Sequence, residues 1–287
     1  MTPATTPSGQ SQAPRRTRVS IRPRHGWAPL DLRELLAYHE LLYFLVWRTI
    51  KVRYRQTMLG AGWVFAQPLL TMVVFSVVLG RLAKLPSDGL PYPVFALAGL
   101  IPWTYFATAL SSSTNSLVDN ERLLTKVYFP RILLPLALVM AGLLDLAIAL
   151  LLLVAVAALY GLVPSAQALV LPGFILLAVI AALGPGLWFS ALNVQYRDVR
   201  HLIPFLTQVL LFITPVAYAS SLVPPQWRLL YAVNPMASVV DGFRWVLLGG
   251  TPVSAACLAI SAATAIAVLA SGLWYFRRVE RQFADVI

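Results

Sequence analysis

The chain has 287 residues, a mean hydropathy of +0.75 and only 11% charged residues. A soluble domain carries about 25%, so a soluble globule is excluded, and several uncharged runs of about 20 residues describe an all-α polytopic membrane protein. The net charge of +11 reads as loop bias rather than a nucleic-acid footprint, and the single cysteine, Cys257, excludes a disulfide framework or a cysteine-based metal site.

Residues 1–30 are rich in Pro, Ser, Thr and Arg and read as a disordered cytoplasmic tail. They hold no apolar core of a signal peptide. Residues 31–59 carry a helical apolar stripe (Leu32, Leu35, Leu36, Leu42, Leu45, Val46, Ile50) broken by charges, with Asp31 as a plausible N-cap. That pattern is too charged to span and predicts an amphipathic helix at the membrane interface. Its basic end, Arg48, Lys51, Arg53 and Arg55, leads into a run without charge from Ala61 to Arg81.

Six spans are predicted, at about 62–80, 94–117, 132–159, 169–192, 202–218 and 253–276. Pro68 sits in the first third of span one. Span two ends in a polar run from Ser111 to Ser116, which needs partners away from lipid. In the 119–131 loop, Asp119 or Asn120 can cap a helix of about two turns that exposes Glu121, Arg122 and Lys126 and stops at Pro130. Residues 214–250 are apolar but divided by Pro215, Pro224, Pro225, Pro235, Gly242, Gly249 and Gly250. Pieces of about 10–14 residues suit re-entrant or interfacial helices. Asn234–Pro235 opens one of them, with Asp241 and Arg244 at i, i+3 on it. The sequence shows neither an internal repeat nor a strand pattern.

With six spans both termini share a side. Of the 22 Lys and Arg, 18 fall on that side and 4 on the other. The positive-inside rule therefore expects both termini in the cytoplasm.

The chain has no phosphate-cradling Gly-rich loop. His25, His39 and His201 are too scattered to suggest a metal cluster. Asp145 is the sole carboxylate within the predicted spans. Either it is hydrogen-bonded to neighbouring Ser, Thr or Asn side chains, or it faces a conduit. A membrane enzyme acting on lipid-linked sugars would need convergent carboxylates, His or a metal, which Asp145 alone does not supply. The aromatics Trp63, Phe65, Trp103, Tyr105, Phe106 and Phe212 read either as packing and interfacial belts or as faces for sugar C–H groups. Ser112 and Asn115 would then offer the sugar hydrogen bonds.

Several stretches resemble one family: KVRYRQTMLGAGWVFAQPLL (51–70), PYPVFALAGLIPWTYF (91–106), NSLVDNERLLTKVYFPR (115–131), NVQYRDVRH (193–201), TPVAY (214–218), NPM with DGFRW (234–245) and VERQFADVI (279–287). Together they look like the permease subunit of type-2 ABC exporters for polysaccharides such as O-antigen, capsule or teichoic acid. The resemblance covers about 31–287. It implies a homodimeric, non-catalytic permease in the bacterial inner membrane, carrying a lipid-linked polysaccharide. Two copies of a separate ABC ATPase subunit would bind ATP and Mg. It implies a coupling helix in the first cytoplasmic loop (Asn120, Glu121, Arg122, Lys126, Arg131) and a second contact at Arg197 and Asp198. It also implies an outer gate of short helices, with Pro215, Tyr218, Asn234 and Pro235 in that stretch. The conduit would be lined chiefly by spans one, two and five. A type-2 ABC permease for a small hydrophobic drug or lipid shares this topology and is the alternative.

Overall fold

A computed structural model describes residues 36–55, 62–126, 129–163 and 166–280. Among them are ten α-helices and no strand. In chain order these are α1 (His39–Arg55), α2 (Gly62–Phe75), α3 (Tyr92–Asn115), α4 (Glu121–Lys126) and α5 (Leu133–Leu159). Then follow α6 (Leu171–Gln195), α7 (Val199–Ile213), α8 (Arg228–Tyr231), α9 (Pro235–Leu248) and α10 (Ala255–Val279).

The core is built around α3. It is apolar on every side, which in a helix means burial on every side. All but Thr104 of the residues from Val94 to Phe106 are buried, and α2, α5, α6, α7 and α9 pack around them. The polar run at its end turns inward, as expected. Thr114 is fully buried, and Asn193 of α6 donates to the Thr114 carbonyl (3.1 Å) and to Asn115 Oδ1 (3.2 Å).

Five stretches are long and apolar enough to cross a membrane: Phe65–Leu82, Tyr92–Asn115, Leu133–Leu159, Ala166–Gln195 and Ala255–Val279. The first passes its predicted end because α2 continues as a π-helical stretch, Ser76–Leu82. The expected fifth span, 202–218, is instead α7, 15 residues ending at Ile213. That is about 22 Å of helix, short of a hydrocarbon core of about 30 Å. The cause is Pro215, whose ring drives the preceding Thr214 out of helical geometry (φ −84°, ψ 142°).

Two close approaches hold the frame. Where α6 meets α10, a Cβ on Gly184 would stand 2.8 Å from the Leu269 nitrogen, and one on Gly272 2.5 Å from the Gly184 carbonyl oxygen. Small residues let membrane helices approach this closely. Just beyond, Trp188 stacks on Tyr275 with centroids 4.2 Å apart and donates to Ser271 Oγ at 3.1 Å. Gly272→Leu is therefore expected to force α6 and α10 apart. Fluorescence-detected size exclusion should lose the monodisperse peak, whereas Ala270→Leu, at an exposed position of the same helix, should keep it.

The predicted interface helix appears as α1 and does not stand alone. Leu41, Leu42, Leu45 and Val46 join a second apolar cluster with Phe129, Leu133, Leu187 and Phe276. The helix then runs beside α5 as far as Asp145. The predicted cap Asp31 and residues 56–59 lie outside the described residues.

Candidate functional site

The chain has two polar ends joined by an apolar middle. One end carries the 214–248 hairpin, and Arg244 organises it. Asn234–Pro235 starts α9 as expected, with the Asn234 side chain accepting from the Met236 N–H at 3.1 Å. Arg244 follows about three turns later and is 5% exposed. Its guanidinium donates to the carbonyls of Pro215 (2.6 Å) and Val216 (2.7 Å), and more weakly to Phe95 and Tyr218 (both 3.4 Å). The same group lies over the Phe95 ring, 3.6 Å from its centroid. The i, i+3 partner Asp241 is 3.7 Å away and accepts from Ser220 Oγ at 2.5 Å. A planar fork with five donors suits this task, because the carbonyls after Pro215 belong to neither helix nor sheet. Gly99 on α3 makes the room: a Cβ there would lie 2.8 Å from both Arg244 Nη2 and the Val216 carbonyl oxygen.

The other predicted residues at this end join the same network. Tyr218 Oη is 2.5 Å from Tyr231 Oη, Asn234 Nδ2 donates to Thr214 Oγ1 at 2.9 Å, and Tyr92 donates to the Ala217 carbonyl at 2.6 Å. Pro215 contributes its carbonyl to Arg244, and Pro235 is the first residue of α9.

The opposite end is basic. The short helix predicted in the 119–131 loop is α4, a single six-residue piece after a 3-10 turn at Val118–Asn120. Glu121, Arg122 and Lys126 are exposed on it. The Asn120 side chain is engaged elsewhere: it donates to the Ser116 carbonyl (2.9 Å) and accepts from Arg48 (3.5 Å). Arg131 is half-buried and donates to the Glu280 carbonyl, while its N–H meets Glu280 Oε1 at 3.2 Å. It therefore fastens the start of α5 to the end of α10. Arg197 and Asp198 stand exposed in the turn between α6 and α7.

Asp145 corrects an expectation. Its partners are not neighbouring Ser, Thr or Asn side chains. Arg53 forms an ion pair with one carboxylate oxygen and Tyr54 donates to the other, both from α1. Sequence reasoning missed this triad because α1 reads as an interfacial element, separate from the spans.

The expected conduit residues divide. Trp103, Tyr105 and Phe106 are 5–6% exposed in the core of the chain itself, so packing, the other reading of these aromatics, describes them. Ser112 and Asn115 are half-buried on α3. Phe65 and Phe212 are exposed, and the Trp63 side chain lies outside the described residues. Phe65 is exposed near the start of α2, and Gln67, Leu70, Val73 and Val74 form an uncovered face of that helix. Phe212 belongs to one on α7 with Leu202, Phe205, Gln208 and Val209; Ile203 is the sole buried residue of that helix. Among the described residues no group of His, Cys, Asp and Glu is placed to hold a metal.

Residues 40–248 match the ABC-2 type transporter family. The chain is 31% identical to the O-antigen export system permease protein RfbA of Myxococcus xanthus, over 89% of this chain and 98% of that protein. It is 28% identical to the O-antigen export system permease protein RfbA of Klebsiella pneumoniae, over 86% of this chain and 95% of that one. It is 25% identical to the polysialic acid transport protein KpsM of Escherichia coli, over 81% and 91%.

Proposed function

The chain belongs to the ABC-2 type transporter family, and we propose that it is the permease subunit of an ATP-driven polysaccharide exporter. Its cargo is a lipid-linked polymer of the O-antigen or capsule kind, and its membrane is the bacterial inner membrane. The chain works as a homodimer with two copies of a cytosolic ABC subunit, which bind ATP and Mg and perform the hydrolysis.

The uncovered apolar faces of α2 and α7 carry this reading. Both helices flank α3, and no other part of the described chain covers them. A two-fold copy would place these faces opposite each other, with the conduit between them. Phe205 and Phe212 offer rings to sugar C–H faces, and Gln67 and Gln208 offer amides to hydroxyls. The basic end lies in the cytosol with both termini. The chain crosses six times, the fifth crossing being α7 together with the extended turn from Thr214 to Tyr218, and the rest of the hairpin up to Leu248 enters from outside as the gate. Export of a small hydrophobic compound would not call for amides on those faces, and the relatives' names do not favour it.

Nucleotide-driven closure of the ATPase pair pushes on α4 and on the Arg197–Asp198 turn. Because α4 sits between α3 and α5, the push moves both together. Reversing charge with Arg122→Glu and Lys126→Glu is expected to lower polymer-stimulated ATP turnover about tenfold, with subunit assembly unchanged by size exclusion. Unaltered turnover would remove α4 from the coupling path. Deleting the gene should abolish surface polymer, and co-purification should bring down an ABC ATPase. Intact surface polymer in the deletion strain would end the export reading.

A further inference from the structure

A cavity of about 270 Å³ lies between α1 and α5. Leu45, Val52, Leu134 and Leu138 give it apolar walls, and Arg48, Arg53 and Asn120 line its polar side. The two arginines are not equivalent. Arg53 is neutralised by Asp145. Arg48 is exposed, and its hydrogen bond to Asn120 Oδ1 is a long 3.5 Å. Among the described residues no carboxylate pairs with it. The Thr49 hydroxyl donates back to the Leu45 carbonyl at 2.9 Å. Lys51, the next cation on α1, lies over the Trp47 ring, 5.6 Å from its centroid. The cavity therefore combines hydrocarbon walls with one unneutralised guanidinium at its rim.

We propose that this cavity binds an anionic phospholipid of the surrounding leaflet. The phosphodiester takes Arg48 in a charge-assisted hydrogen bond, and the glycerol and first acyl carbons lie along Leu45, Leu134 and Leu138. Charge selects this occupant. A phosphodiester carries one negative charge and meets one excess positive charge, whereas a diphosphate-linked carrier lipid would leave negative charge uncompensated. Basic pockets at the cytoplasmic ends of membrane helices recognise headgroups in this way. The walls come from α1, α5 and Asn120, the residue before α4, so the lipid ties these three elements together. The site stands apart from the polysaccharide reading, since lipid binding is measured without export.

The test uses the full-length protein with any subunit that accompanies it. It is exchanged into micelles containing equal phosphatidylglycerol and phosphatidylcholine, and bound lipid is read by native mass spectrometry. Wild type should retain phosphatidylglycerol preferentially. Arg48→Gln should reduce that preference roughly fivefold to tenfold, and Arg48→Lys should restore most of it. Lys51→Gln, on the same helix, should leave it unchanged. Leu138→Trp fills the cavity without touching a charge and should lower retention of both lipids. Wild-type preference in Arg48→Gln, or equal loss in Lys51→Gln, overturns the proposal. So does displacement of phosphatidylglycerol by an equimolar polyprenyl diphosphate, which would give the site to a carrier lipid.

Discussion

Arg244→Met is expected to abolish export and to lower the melting temperature of the purified protein by on the order of 10 °C. The substitution keeps the length and apolar stem of the side chain and removes only the fork. It strips the donors from the carbonyls of Pro215 and Val216 and leaves Asp241 without its counter-charge. Asp241 keeps 27% of its exposure, so leaving it unpaired costs about 2–3 kcal/mol, and each orphaned buried carbonyl adds about 1–3 kcal/mol. Arg244→Lys should recover little, because one ammonium cannot reach carbonyls on both sides of the turn. The informative contrast is Arg228→Met on the same hairpin. Arg228 donates to one carbonyl, Val223, at 3.2 Å from an exposed position, and its loss should be nearly silent. Equal effects at the two sites would mean that the hairpin does not depend on the Arg244 fork.

Asp145→Leu should reduce the amount of folded protein in the membrane several-fold, by leaving Arg53 without its partner. The depth of the pair sets the cost. Asp145 lies 14 residues before the end of α5, about 21 Å along the helix. That puts the pair within a stretch long and apolar enough to cross a membrane. An arginine there can partly snorkel, and both side chains keep a quarter to a third of their exposure. The expected loss is therefore about 2–3 kcal/mol, below that of a fully buried pair. The double variant Arg53→Met with Asp145→Leu should regain most of it, since an apolar pair of similar size packs without desolvating charge. If the double variant is as poor as the single, the pair has a role beyond cancelling charge.

Local chemistry was readable along the chain. Asn234–Pro235 announces the start of α9, and the structure has Asn234 in the capping position. The run from Ser111 to Ser116 announces an inward-facing polar seam, which Asn193 meets. Long-range pairing was not readable. Arg53 and Asp145 are 92 residues apart, and nothing in either segment names the other. Arg244 could be paired with Asp241 by spacing, but its main partners are backbone carbonyls, which leave no mark on residue identity. The aromatics of α3 were ambiguous because a ring suited to sugar is equally suited to a core, and burial alone separates the two. The end of α7 was in plain view as Pro215. Val216, Ala217 and Tyr218 nonetheless continue the apolar run, and composition cannot distinguish a helix from the extended turn that follows it.

Sidedness of α4 tests the exporter account most directly. In a Cys257→Ser background, Arg122→Cys and Ser221→Cys are labelled with a membrane-impermeant maleimide, in spheroplasts and in inverted vesicles. The account predicts that the cysteine at 221 reacts in spheroplasts, whereas the one at 122 reacts only once the vesicles are inverted. Labelling at 122 from the outer face would put α4 beyond the reach of any cytosolic ATPase and contradict the account.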